Sequence, residues 1–97
     1  TTAEIQVLID RDCKGCHGGT FPNGLADITS VIGVASQDVP TMLLIEQGDA
    51  SQSYLYRKIV GDHTDAEVGG ANARMPKNRS PWSNQEIQKL RAWIDSL

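Results

Sequence analysis

Residues 13–17 read Cys13-Lys14-Gly15-Cys16-His17, which places both cysteines of the chain and one of its two histidines within five positions. Two thiols two residues apart, with an imidazole directly after them, can do few things. A disulfide oxidoreductase sets Cys-x-x-Cys at a helix start inside a βαβ pattern, and no such pattern surrounds this pair. A structural zinc site needs four ligands, and the chain has no second cysteine pair and only His63 as a histidine outside the motif.

The third reading is covalent attachment of a c-type haem, in which both thiols add to the porphyrin vinyl groups and the following histidine ligates iron. Two intervening residues let the sulfurs of Cys13 and Cys16 reach opposite edges of one porphyrin while His17 points at its centre. A redox dithiol without haem is the alternative, decided by whether the protein carries pigment. Size favours the haem: 97 residues with five aromatic side chains is a range in which a cofactor helps a core to close.

The rest of the composition excludes more than it selects. A net charge of −3 argues against nucleic acid or an anionic membrane as the main partner. The longest apolar runs, such as Met42-Leu43-Leu44-Ile45, fall far short of the ~20 residues that cross a bilayer. The expected organisation is one domain over residues 1–97, without repeats or an interdomain linker.

Three helices are predicted. Thr1-Thr2-Ala3-Glu4 has capping-box form and Ile5, Leu8 and Ile9 follow at helical spacing, giving a helix over roughly 2–13 that ends at the cysteine motif. Gly48-Asp49-Ala50-Ser51 opens a second, with Asp49 or Ser51 as cap, Leu55 and Ile59 on its apolar stripe, and Gly61 as its stop. Ser83-Asn84-Gln85-Glu86 caps a third, along which Ile87, Leu90, Trp93, Ile94 and Leu97 form one stripe. Residues 25–47 are ambiguous, since Leu25, Ile28, Val31 and Ile32 suit a short helix that β-branched residues and Gly33 oppose. Residues 61–81 read as a loop, long enough to need a use.

An iron held by His17 has an opposite axial position, for which Met42, Met75, His63 and Lys77 have suitable donors. Met42 sits in an apolar run where a core role is expected. His63 lies in polar Gly61-Asp62-His63-Thr64-Asp65, where an exposed, solvated imidazole is expected. Met75 lies mid-loop in Ala73-Arg74-Met75-Pro76-Lys77 with nothing apolar beside it, and Pro76 restricts it to extended conformations. Met75 is the preferred ligand.

The order Cys-x-x-Cys-His, a late Met-Pro loop and an amphipathic last helix resembles the class I c-type cytochromes. The segments Gly48–Lys58, Arg74-Met75-Pro76 and Ser83–Ile94 look like small bacterial mono-haem domains found alone or fused to larger redox proteins. The resemblance implies an all-α cytochrome c fold, three main helices around one haem attached through Cys13 and Cys16, with His17 proximal and Met75 distal. It also implies a backbone carbonyl near Pro22 receiving the other ring N–H of His17. Trp93 or its neighbours would meet the first helix near Leu8 or Ile9, and Trp82 and Arg57 would be donors to the haem propionates.

A His/Met-ligated haem leaves no open iron site, so the expected function is one-electron transfer between a redox protein donor and an acceptor, as a monomer or as a domain of a larger oxidoreductase. Paired carboxylates, a Ser/His/Asp set and a phosphate loop are all missing from the sequence, and Gly69-Gly70 is a loop feature. A haem enzyme or a gas or peroxide sensor with a labile distal ligand is the alternative. Haem attachment of this kind implies export, to the periplasm or cell surface. Arg74, Lys77, Arg79 and Lys14 would supply positive charge near the haem rim, offset by Asp62, Asp65 and Glu67.

Overall fold

The computed structural model describes residues 1–13, 27–36, 39–64, 68–70, 75 and 81–97. Helix α1 spans Thr2–Asp12. Its start is the predicted capping box: the Glu4 amide donates to the Thr1 hydroxyl oxygen at 3.3 Å, and the Glu4 carboxylate accepts from the N-terminal amino group at 3.2 Å. Ile5 and Ile9, one turn apart, are its buried residues. The Cys13 amide donates to the Ile9 carbonyl at 2.8 Å, so the last turn of α1 carries Cys13 into the interior.

Among the described residues, the ambiguous stretch holds one 3₁₀ turn, Ile28–Val31, which leaves into extended backbone at Ile32. Asp27 caps the turn by accepting from the Thr29 amide and hydroxyl, and these bonds hold its carboxyl below the ordinary carboxylate range. The Ile28 amide donates to the Gln6 side chain at 2.7 Å, which ties the turn to α1. Beyond it, Ile32 pairs with Ile45 and Ala35 with Leu43 as isolated bridges, and Gly33 turns the chain at φ 77°. Of the residues that pair, Ile32 and Ile45 are β-branched and Ala35 and Leu43 are not, while Ile28, Thr29 and Val31 lie in the 3₁₀ turn.

The second predicted helix is broken in two. A 3₁₀ turn, Ala50–Gln52, precedes helix α2, Tyr54–Val60. The break falls at Ser53, whose backbone is extended (φ −96°, ψ 115°) and which is fully buried. Its hydroxyl donates to the Asp49 carbonyl at 2.9 Å and accepts from the Glu46 amide at 2.8 Å. That side chain offers the backbone an alternative to continuing the helix. Neither Asp49 nor Ser51 makes the expected side-chain cap; Ser51 donates to the Asp49 carboxylate instead. Gly61 ends α2 in the left-handed conformation, φ 97°, as predicted.

Helix α3 spans Asn84–Asp95 behind the Ser83/Glu86 capping box. Leu90, Trp93 and Ile94 are buried and Ile87 is half-buried, whereas Leu97, at the end of the predicted stripe, is 38% exposed. The end of α3 is fastened to the entrance of α2: the Gly48 amide donates to the Ile94 carbonyl, and the Ala50 amide to the Asp95 carboxylate at 2.9 Å. Near its start, Glu86 bridges to Arg11 of α1 at 2.8 Å.

One cluster of buried side chains joins the three helices. It contains Ile5, Ile9 and Cys13 of the first segment, Ile28, Val31 and Ile45 of the extended one, Ile59 of α2, and Trp82, Leu90, Trp93 and Ile94 around α3. Among the described residues there are three α-helices and no strand beyond isolated bridges, so the protein is all-α. No helix among them is long and apolar enough to cross a membrane.

Candidate functional site

Cys13 is the described member of the cysteine motif. It follows α1 directly and is 6% exposed, inside the central cluster. Lys14, Cys16, His17 and Pro22 lie outside the described residues, as do Arg74, Lys77 and Arg79.

Met75 is half-buried and packs against the same cluster as Cys13. A methionine with no apolar neighbour in sequence thus has apolar neighbours in space. Its backbone is held as well, the Met75 amide donating to the Lys58 carbonyl on α2 at 3.1 Å. Met42, expected in the core, is only half-buried, because residues 39–42 form a turn in which the Met42 amide bonds the Val39 carbonyl.

Trp82 is 3% exposed and belongs to the cluster, yet its indole Nε1 is a buried donor with no hydrogen-bond acceptor among the described residues. Leaving a buried polar group unsatisfied costs about 1–3 kcal/mol, and native proteins seldom do so without a reason. The other tryptophan supplies the contrast. Trp93 is equally buried, but its Nε1 donates to the Thr2 hydroxyl at 3.0 Å. The expected contact of Trp93 with α1 is made, by a bond nearer the opposite end of that helix from Leu8 and Ile9.

Arg57, the second propionate candidate, is engaged by its own chain. Its Nε donates to the Ser51 carbonyl at 2.9 Å and its Nη1 to the Asp62 carboxylate at 2.8 Å, clamping the two ends of α2. His63 contradicts its expected exposure: it is 2% exposed, its ring meeting that of Tyr54 edge-on at 6.3 Å between centroids. Lys58 is also buried, with its Nζ 5.8 Å from the Tyr54 ring centroid. The polar sequence around His63 hides this burial because the covering group, Tyr54, comes from the preceding helix.

An open groove of about 400 Å³ runs beside Tyr56, Ile87, Arg91 and Asp95, between α2 and α3, and holds none of the sequence-predicted site residues. Among the described residues no group of three or more His, Cys, Asp and Glu side chains is placed to hold a metal ion. The site is therefore marked by Cys13, Met75 and Trp82 gathered on one apolar cluster, which offers a thiol, a thioether and an unanswered indole N–H. By chemistry, these are donor types that a haem reading requires: a thiol for attachment, a thioether for iron and an N–H for a carboxylate. Comparison with protein-family models, with curated proteins and with solved structures returns no match.

Proposed function

We propose that this protein is a one-electron carrier holding a single c-type haem, attached through Cys13 and Cys16, with His17 and Met75 as axial ligands. The observation that supports this most is the buried Trp82 indole, whose Nε1 has no acceptor among the described residues. A haem propionate would answer it with a charge-assisted bond. Arg57 already gives two of its N–H groups to Ser51 and Asp62, which leaves Trp82 the better donor. When bound, such a haem supplies a reversible iron couple whose potential methionine ligation raises.

The chain's own part is to bind, orient and exclude water. Cys13 anchors one edge at the end of α1 while Ile9, Ile59 and Leu90 supply apolar surface in the same cluster. Met75, packed on that cluster and hydrogen-bonded to α2, would hold the iron through its thioether and keep other ligands out. A site closed in this way favours electron transfer over substrate chemistry. On this reading the protein works in the periplasm or at the cell surface, between a redox donor and an acceptor.

Replacing Cys13 and Cys16 together with alanine tests attachment. The wild-type protein is expected to keep its pigment through acid–organic extraction, and the double variant to lose it and fold poorly. A colourless wild type, or a double variant that keeps extraction-resistant haem, would refute the proposal.

A further inference from the structure

Gly70 lies against α2 in a way no other residue could. Its amide donates to the His63 carbonyl at 2.8 Å, and a methyl group at its Cα would lie 2.5 Å from that carbonyl oxygen, 2.5 Å from the Tyr54 hydroxyl and 2.7 Å from the Tyr54 ring. One contact is with backbone, and the others are with a ring that is 3% exposed and packed edge-on against buried His63, so none can yield cheaply. Preceding it, Gly69 takes φ 76° and Val68 is buried. Five residues after Gly70, the Met75 amide bonds the Lys58 carbonyl, one turn along α2 from Tyr54. Gly70 and Met75 are therefore each held on one short helix, Gly70 by close packing and Met75 by a hydrogen bond.

We infer that Tyr54, His63 and Gly70 form a clasp that positions Met75, so that the thioether's place is set by packing on α2 and not by its bond to iron alone. This rests on the haem reading above, in which Met75 is the distal ligand. Tyr54, His63 and Gly70 are positioning residues, since they would act on the ligand without touching the iron. Their physical role is pre-organisation: a ligand already held in place pays little ordering entropy when it binds. The clasp also accounts for the burial of His63 and Tyr54, for which electron transfer as such has no use.

The test compares wild type, Gly70→Ala and Tyr54→Phe as haem-loaded full chains. Three quantities are measured: amide hydrogen exchange at Met75 against Ile9 and Leu90, the thioether-to-iron charge-transfer absorption of the oxidised protein, and the rate of cyanide binding. Overpacking at Gly70 is expected to speed Met75 amide exchange and cyanide binding by about tenfold or more, with the charge-transfer band weakened and exchange at Ile9 and Leu90 unchanged. Tyr54→Phe keeps the ring and loses only the hydroxyl beside Gly70; it is expected to shift the same readouts in the same direction by a smaller factor, and it decides the matter if Gly70→Ala does not fold. Wild-type values at Met75 in the variants that fold, or an equal rise in exchange at Ile9 and Leu90, would overturn the clasp. A wild-type protein without the band, or with a band that survives Met75→Leu, would overturn the ligand assignment and the inference with it.

Discussion

The two tryptophans make a matched pair on which the haem reading can be tested by sign. Trp82 and Trp93 are 3% and 6% exposed and sit in the same cluster, but among the described residues one indole N–H has no acceptor and the other bonds Thr2. Converting either to phenylalanine removes a comparable piece of buried ring, so the packing loss is taken as common and the difference between the variants reports the two N–H groups. For Trp93→Phe the extra loss is one neutral hydrogen bond of about 1 kcal/mol, the exposed Thr2 hydroxyl then turning to water. For Trp82→Phe in a chain with no acceptor, the substitution relieves an unsatisfied donor and returns about 1–3 kcal/mol. Trp82→Phe would then be the milder change by about 2–4 kcal/mol. If a propionate accepts from Trp82, the substitution breaks a bond to a charged group, worth about 1.5–3 kcal/mol, and becomes the harsher change by about 0.5–2 kcal/mol. Urea unfolding of the two variants beside wild type measures this, provided that the slopes with denaturant agree. The proposal expects Trp82→Phe to be the less stable. Finding it more stable than Trp93→Phe would refute a propionate partner for Trp82.

The remaining expectations use other parts of the molecule. Met75→Ala should lower the reduction potential and open the iron to cyanide or carbon monoxide, whereas Met42→Leu, a nearly volume-conserving swap at a half-buried turn, should cost under about 1.5 kcal/mol and leave the spectrum unchanged; a spectrum moved by Met42→Leu and not by Met75→Ala would reverse the ligand assignment. The bond from Arg11, and after it the Ser83 amide, hold the Glu86 carboxyl below its ordinary value of 4.5. Its stabilising contribution is therefore complete above that pH and fades as pH falls through the lowered value. Glu86→Gln should cost no more than about 1 kcal/mol at neutral pH and progressively less as pH falls below 4.5, as read from urea midpoints across pH. Electron transfer to an acidic partner should slow as salt shortens the Debye length from about 10 Å at 0.1 M to about 3 Å at 1 M. Lys77→Glu with Arg79→Glu should lower the association rate at unchanged potential, and rates indifferent to both salt and charge reversal would leave those residues as ordinary surface.

What the sequence revealed and what it concealed divide along a physical line. Features written in a few neighbouring residues came through: the capping boxes at Thr1/Glu4 and Ser83/Glu86, the isoleucine spacing of α1, and the glycine stop at Gly61 all stand as read. These are local contests between a side chain and its own backbone, decided within one turn of chain. The break at Ser53 was hidden because the bonds that make it run back to Glu46 and Asp49, outside the helix that its neighbours seemed to extend. The burial of His63, and the place of Met75 on an apolar cluster, were hidden for a related reason. Hydropathy along residues 61–81 describes what those residues are, while burial depends on what is brought against them, here Tyr54 and the central cluster. That asymmetry bears on the candidate site. On the proposed reading, Cys-x-x-Cys-His is legible because its chemistry is local, two sulfurs and an imidazole that would serve one ring. A distal ligand is non-local by nature, since it must arrive from far along the chain and be held there. The sequence can nominate Met75 by its setting beside Pro76, but only packing can hold it, and the close approach of Gly70 to Tyr54 and His63 is the kind of contact that does so.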